Sequence, residues 1–191
     1  MTRALIALSL LLGSCDPAPP PETEPPPPPP GLDGGLEAVD CATAILVELG
    51  RCVGADGAPC DGTEPRPRWD AMPAAGVLAP LVGPQGATMF ALAARAQGIE
   101  PGDLDRPASR ANPVVSLALL DDGGDELSRL SSRSPFAPSE GLADTWESAQ
   151  LFVVVDHLPR ELRGRSLRAE ATLADRDGRL GCGSLRFSTP P

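Results

Sequence analysis

The sequence predicts an all-β sandwich domain, and two observations carry this prediction. Strict alternation of apolar and polar residues runs through 167–173 (LRAEATL), which is typical of a strand with one buried face. Upstream, short apolar runs are separated by glycine, proline and aspartate, which is the spacing of a fold built from many short strands. We therefore expect about seven strands in two packed sheets.

The clearest single element is a C-terminal hairpin. The alternating strand runs into 175–179 (DRDGR), whose Asp-Gly pair supplies the positive-φ position of a tight turn, and the return run spans 180–188. Leu185 and Phe187 share one face of the return strand, whereas Cys182 has the opposite parity. Either Cys182 points away from the core or a β-bulge shifts the phase.

Four apolar runs upstream predict further strands. Residues 43–49, 76–82 and 114–120 are bounded by turn-forming residues, and an acidic turn follows the last of them. The run 151–155 (LFVVV) is apolar on both faces, which predicts a central strand buried on both sides.

Residues 87–97 (ATMFALAARAQ) fit two structures. The segment is rich in helix formers, so local propensity favours a helix. An i, i+3, i+4, i+7 stripe is formed by Met89, Leu92, Ala93 and Ala96. A strand would instead place on one face Phe90, Leu92, Ala94 and Ala96. The residues alone leave both alternatives open.

Two motifs give the chain a resemblance to a protein family. The run 81–86 (LVGPQG), which ends in the turn 83–86, precedes an alternating segment that ends in RAQGI, and 164–168 (GRSLR) leads into 175–179. Over roughly Trp69 to Phe187 the chain resembles uncharacterised exported bacterial lipoproteins with an immunoglobulin-like β-sandwich domain. Those relatives carry a second glycine and an aromatic residue or histidine after the Gln-Gly pair, whereas this chain continues with 87–89 (ATM). The resemblance implies an immunoglobulin-like sandwich with a strand after the turn, and it implies no active-site residues.

The N-terminal residues predict a lipoprotein signal peptide, 1–14. Arg3 precedes the apolar run 4–12, whose nine residues would cover about 14 Å as a helix, far less than the roughly 30 Å of a bilayer core. The motif 12–15 (LGSC) resembles the lipobox of bacterial lipoproteins, in which the cysteine is acylated and becomes the mature N-terminus. We expect a lipid on Cys15. The alternative is an ordinary secretory signal with cleavage near the same position and an unmodified cysteine.

A proline-rich tether is predicted to follow the anchor, over 15–35. Ten of the fourteen residues 17–30 are proline, so the segment is expected to be disordered with polyproline II character and to reach about 40 Å. A ligand for an SH3-like module is the alternative, and it suits an exported protein poorly.

The remaining residues, 36–191, are enough for one sandwich domain with its own core. The chain has a net charge of −10, and loss of Arg3 with the signal peptide would make it −11, so we expect no nucleic-acid partner.

Four cysteines beside Cys15 predict two disulfides in an exported domain. Three connectivities are open. We favour Cys52 with Cys60, because the residues between them form a turn-rich loop, which leaves Cys41 with Cys182. A zinc site is the alternative, but the sequence has no Cys-x-x-Cys pair and a single histidine, so we expect neither a metal nor another cofactor.

Other chemistry-bearing residues are interpreted structurally. Asp156 and His157 follow the predicted central strand, but no nucleophile elbow accompanies them, so a strand-end histidine is favoured over a catalytic one. Acidic turns are alternatives for calcium, at 103–105, 121–126 and 175–177. Trp69 and Trp146 are expected to pack between strands rather than to form a ligand platform.

These observations predict a lipid-anchored, non-enzymatic envelope protein that presents loops to a protein or glycan partner. The anchor would hold it at the outer membrane or at the outer leaflet of the inner membrane. The segment 128–147, which has little periodicity, is predicted to be a long loop and the binding surface. An envelope binding protein for a saccharide or other small ligand is the alternative, and a hydrolase using Asp156 and His157 is a third.

Overall fold

Two β-sheets pack face to face and enclose the main hydrophobic core. The computed structural model describes residues 45–63, 67–73 and 76–191, and all of them belong to one compact unit. The strands in these ranges are β1 (Leu46–Val53), β2 (Arg68–Asp70), β3 (Gly76–Val77), β4 (Leu81–Val82), β5 (Thr88–Gln97), β6 (Val114–Asp121), β7 (Glu126–Arg133), β8 (Ala137–Pro138), β9 (Thr145–Val155), β10 (Ser166–Ala174) and β11 (Leu180–Ser188). The predicted all-β sandwich is confirmed; seven of the described strands have eight or more residues, and the other four have two or three. A short 3-10 helix, Pro159–Glu161, follows β9.

Each sheet is almost entirely antiparallel. The first has the order β2-β1-β5-β9-β8, with β4 also paired to β5, and the second has the order β3-β11-β10-β6-β7. Only the short β3–β11 pair is parallel among the described strands. The predicted C-terminal hairpin is the β10–β11 pair, which keeps one register from Ser166–Ser188 to Ala174–Leu180 without a bulge.

The inward faces of both sheets form the core. Phe90 of β5 and Phe187 of β11 meet edge to face with ring centroids 5.3 Å apart, which joins the two sheets. The buried aliphatic residues around them follow the period-2 alternation of their strands, as in Leu167, Ala169, Ala171 and Leu173.

The segment that fits both helix and strand forms strand β5. Its alternating residues Phe90, Leu92, Ala94 and Ala96 are all buried in the core. The strand pairs with β1 on one side and β9 on the other. Helix propensities differ by only tenths of a kcal/mol per residue, so these two pairings and the burial outweigh them. The turn 83–86 precedes the strand as predicted, with the Gly86 N–H donating to the Gly83 carbonyl at 2.8 Å.

Three local predictions are wrong. The segment 128–147 is not a long loop, because β7, β8 and the start of β9 lie in it. The run 76–82 is divided between β3 and β4, which belong to different sheets. Residues 151–155 are not buried on both faces: alternate residues enter the core, whereas Val154 is 51% exposed. The described β8 pairs β9 only at Trp146 and Glu147, near the start of β9. The later part of β9, which includes residues 151–155, therefore lies at the border of its sheet.

The two sheets come together at both sides of the sandwich. On one side the β11 backbone at Gly181 lies against Ile45 and that at Gly183 lies against Val47. On the other side the Ser128 hydroxyl of β7 donates to the Val154 carbonyl of β9. The sandwich is therefore held by backbone approach at one side and by a side-chain hydrogen bond at the other.

Candidate functional site

The predicted disulfide between Cys52 and Cys60 is present, with Cα atoms 5.4 Å apart and both residues buried. It joins the end of β1 to the residue that follows the turn-rich loop. Within this loop the Gly54 N–H donates to the Ala58 carbonyl. Cys182 is also disulfide-bonded, and it points away from the core beside Thr172. Its predicted partner Cys41 lies outside the described residues, as do Cys15, the signal peptide and the tether, so these remain predictions.

A second, smaller apolar cluster covers the outer face of the first sheet. The Cys52–Cys60 disulfide packs there with Ala91 and Ala93, and Trp69 and Phe152 border it. Trp146 packs against the main core instead. Both tryptophans therefore have the packing roles that the sequence predicted.

Beside this cluster, Glu147 of β9 joins three elements. Its carboxylate accepts from the Arg95 guanidinium at 2.8 Å, from the Ser139 hydroxyl at 2.5 Å and from the Trp69 backbone N–H at 3.3 Å. Burial alone would raise the pKa of Glu147, but these hydrogen bonds and the positive charge of Arg95 lower it below its ordinary value. The Arg95 guanidinium lies 3.6 Å from the centroid of the Trp69 ring. All of these donors bind one carboxylate, so the cluster links neighbouring strands and has a structural role.

Asp156 and His157 lie where β9 leaves the sheet, along a shallow groove of about 560 Å³. The His157 Nδ1 atom is buried and has no hydrogen-bond partner among the described residues, so no carboxylate orients the ring. The Glu161 carboxylate does not orient the ring either, because it accepts from the Leu158 backbone N–H at 2.9 Å. His157 therefore lies just after the end of a strand, and among the described residues no hydrogen bond to its Nδ1 atom orients the ring.

In two of the acidic turns the first aspartate accepts hydrogen bonds from its own turn. Asp121 Oδ1 accepts from the backbone N–H groups of Gly123 and Asp125. Asp175, whose side chain is fully buried, accepts from the N–H groups of Asp177 and Glu100 and from both the backbone and the guanidinium of Arg179. Within the described ranges, no three His, Cys, Asp or Glu side chains are grouped to hold a metal ion.

A groove lies over the outer face of the β10–β11 hairpin. It has a volume of about 720 Å³, which is within the range of small-molecule sites. We call it the hairpin groove; its polar side chains are Ser166, Arg168, Ser184, Arg186, Ser188, Asp121 and Asp122. Met72 and Pro73 form an apolar border.

Two arginines lie side by side in the hairpin groove. Arg168 of β10 is the cross-strand partner of Arg186 of β11. Arg168 Nε lies 3.1 Å from Glu170 Oε1, whereas Arg186 is exposed and forms no ion pair with any described residue. Sequence reasoning missed this pair. The signal was present, because the register set by the 175–179 turn already places position 168 opposite position 186.

No helix in the described part of the chain has the length and apolarity of a membrane span. Neither a protein-family model nor a curated protein sequence matches this chain. The resemblance to exported lipoproteins with an immunoglobulin-like domain therefore stays a prediction.

Proposed function

We propose that this chain is a lipid-anchored, non-enzymatic interaction module of the bacterial cell envelope. The observation that carries the proposal is the motif 12–15 (LGSC) at the end of a short apolar run that begins after Arg3. An acylated Cys15 would hold the protein at the outer membrane or at the outer leaflet of the inner membrane, because several acyl chains together anchor a protein stably.

The sequence between anchor and domain supports a presenting role. The proline-rich residues 17–30 would extend about 40 Å and lift the sandwich off the bilayer surface. An immunoglobulin-like relationship, which the resemblance implies, would agree with a domain that presents surfaces to partners. Among the described residues no hydrogen bond to the His157 Nδ1 atom orients the ring as a catalytic base, which supports binding over hydrolysis.

Metabolic labelling with an alkyne fatty acid tests the anchor. We expect the wild-type chain to incorporate the label and to fractionate with membranes, and Cys15→Ser to lose the label. Ser14→Ala is the matched control, because it keeps a small residue before the cysteine. An unlabelled wild-type protein with a free Cys15 thiol, read by intact mass spectrometry, would overturn the lipid anchor.

The hairpin groove favours a second candidate, an envelope binding protein for a saccharide or another small ligand. Its volume and its exposed hydrogen-bonding groups fit a small polar molecule. A protein partner would instead agree with the first candidate, and titration with small ligands distinguishes the two.

A further inference from the structure

The hairpin groove contains two opposed arginines, and the described residues supply an ion pair for only one of them. Like charges at directly opposed positions of an antiparallel pair destabilise a sheet, and Arg168 and Arg186 occupy such positions. Glu170 balances Arg168, but Arg186 has no partner in the described part of the chain. An anionic group bound between the two guanidiniums would remove the repulsion. Arginine favours carboxylates and phosphates because its planar donors bind two oxygens at once.

Three serine hydroxyls surround the arginine pair. Ser166 and Ser188 face each other across the strands next to it, and Ser184 lies on its other side. None of these hydroxyls has a hydrogen-bond partner within the described ranges. A ligand that carries hydroxyl groups beside its anionic group would match this array, because each serine can both donate and accept.

An aspartate that also lines the groove limits the charge of the ligand. Asp122 is exposed and unpaired among the described residues, whereas the Asp121 carboxylate is occupied by its own turn. The groove therefore offers one free guanidinium and one free carboxylate. A polyanion would be repelled by Asp122 and by the net charge of −10. A hydroxyl-rich molecule with one carboxylate could pair with Arg186 and donate a hydroxyl to Asp122.

We propose that the hairpin groove binds an acidic saccharide, with the sugar carboxylate between Arg168 and Arg186 and the sugar hydroxyls on Ser166, Ser184, Ser188 and Asp122. Met72 and Pro73 would contact the apolar face of a sugar ring. This inference deepens the saccharide-binding candidate and rests on the proposed binding role.

Calorimetric titration of the full-length protein tests it, in a detergent without a sugar headgroup. The probes are an aldobiouronic acid, which has one uronic acid and one neutral sugar, its methyl ester, and inorganic phosphate. We expect the acid to bind, the ester to bind at least tenfold more weakly, and phosphate to compete poorly. Arg186→Gln should weaken binding of the acid at least tenfold.

Arg160→Gln is the matched control. Arg160 is exposed, lies outside the groove and has no described ion pair, so this variant makes the same charge change and should bind within twofold of wild type. A thermal melt of each variant shows that it is folded. Absent binding of the acid, equal binding of acid and ester, preference for phosphate, or equal loss in both variants would each overturn the inference. Intact mass spectrometry of the same preparation shows whether Cys15 carries a lipid. A groove that does not bind the acid is thereby distinguished from a protein that has no anchor.

Discussion

Gly181 of β11 lies directly against the backbone of Ile45, the residue just before β1. A Cβ atom on this glycine would come within 2.5 Å of the Ile45 carbonyl oxygen and 2.7 Å of its Cβ. No L-residue with a side chain fits this distance unless the backbone shifts. The contact is how the first and last long strands close one side of the sandwich.

Gly181→Ala should therefore destabilise the domain by about 1–3 kcal/mol, since the two sheets must separate to accept a methyl group. Urea unfolding measures the change. Ser184→Ala, at an exposed position of the same strand, should stay within about 0.5 kcal/mol of wild type. Equal stability of the two variants would show that the close approach does not constrain β11.

Asn112 is fully buried and organises the connection between β5 and β6. Its Nδ2 donates to the carbonyls of Arg106 and Pro107 at 2.9 and 2.8 Å, and its Oδ1 accepts from the Asp103 N–H at 2.6 Å. Asn112→Ala should cost about 3 kcal/mol, because three hydrogen bonds between this buried side chain and the backbone are lost. Asn112→Asp should cost at least as much, since it directs a carboxylate at two carbonyls. An Asn112→Ala variant as stable as wild type in urea would contradict this role.

Acid stability should depend on Asp175. Burial alone would raise the pKa of Asp175, but the hydrogen bonds and charge of Arg179 and the Glu100 N–H lower it below its ordinary value. A carboxyl whose pKa is lower in the folded state stabilises fully above its unfolded pKa of about 4, and this contribution is lost as the pH falls through the folded pKa. Urea midpoints should decrease below about pH 4, and Glu147 should contribute in the same direction.

Asp175→Asn should flatten that decrease and lower the stability at neutral pH. Asp122→Asn is the matched control, because it makes the same charge change at an exposed carboxylate of the described chain. A wild-type profile and an Asp175→Asn profile that run parallel between pH 2 and pH 6 would rule out Asp175 as the titrating group.

The Cys52–Cys60 disulfide should stabilise the domain chiefly by restricting the unfolded chain. Replacing both cysteines by alanine should lower the free energy of unfolding by about 2–4 kcal/mol, measured in urea without reductant. The double variant isolates this bond from that of Cys182, which a reductant would also break. Unchanged stability would mean that the loop is already ordered without the covalent bond.

Patterns confined to one hairpin were predictable from the sequence. Turn chemistry at 175–179 and alternation in 167–173 place β10 and β11, and the regular pairing also leaves Cys182 on the outer face, one of the two alternatives that its parity allowed. Cys52 and Cys60 were paired correctly because only a short turn-rich loop separates them. The strand β7 was missed, because its partly buried Leu127 and Leu130 break the period-2 pattern at the border of the sheet.

The order of the residues was enough to predict the all-β class, the local disulfide and the C-terminal hairpin, since each depends on neighbours along the chain. The anchor remains a prediction from the motif at Cys15. Tertiary structure alone decided that 87–97 is a strand, because pairing with β1 and β9 outweighs a small local preference. It also decided that Gly181 meets Ile45 and that Met72 borders the two arginines, because contacts between residues far apart in the chain arise only when the sheets pack.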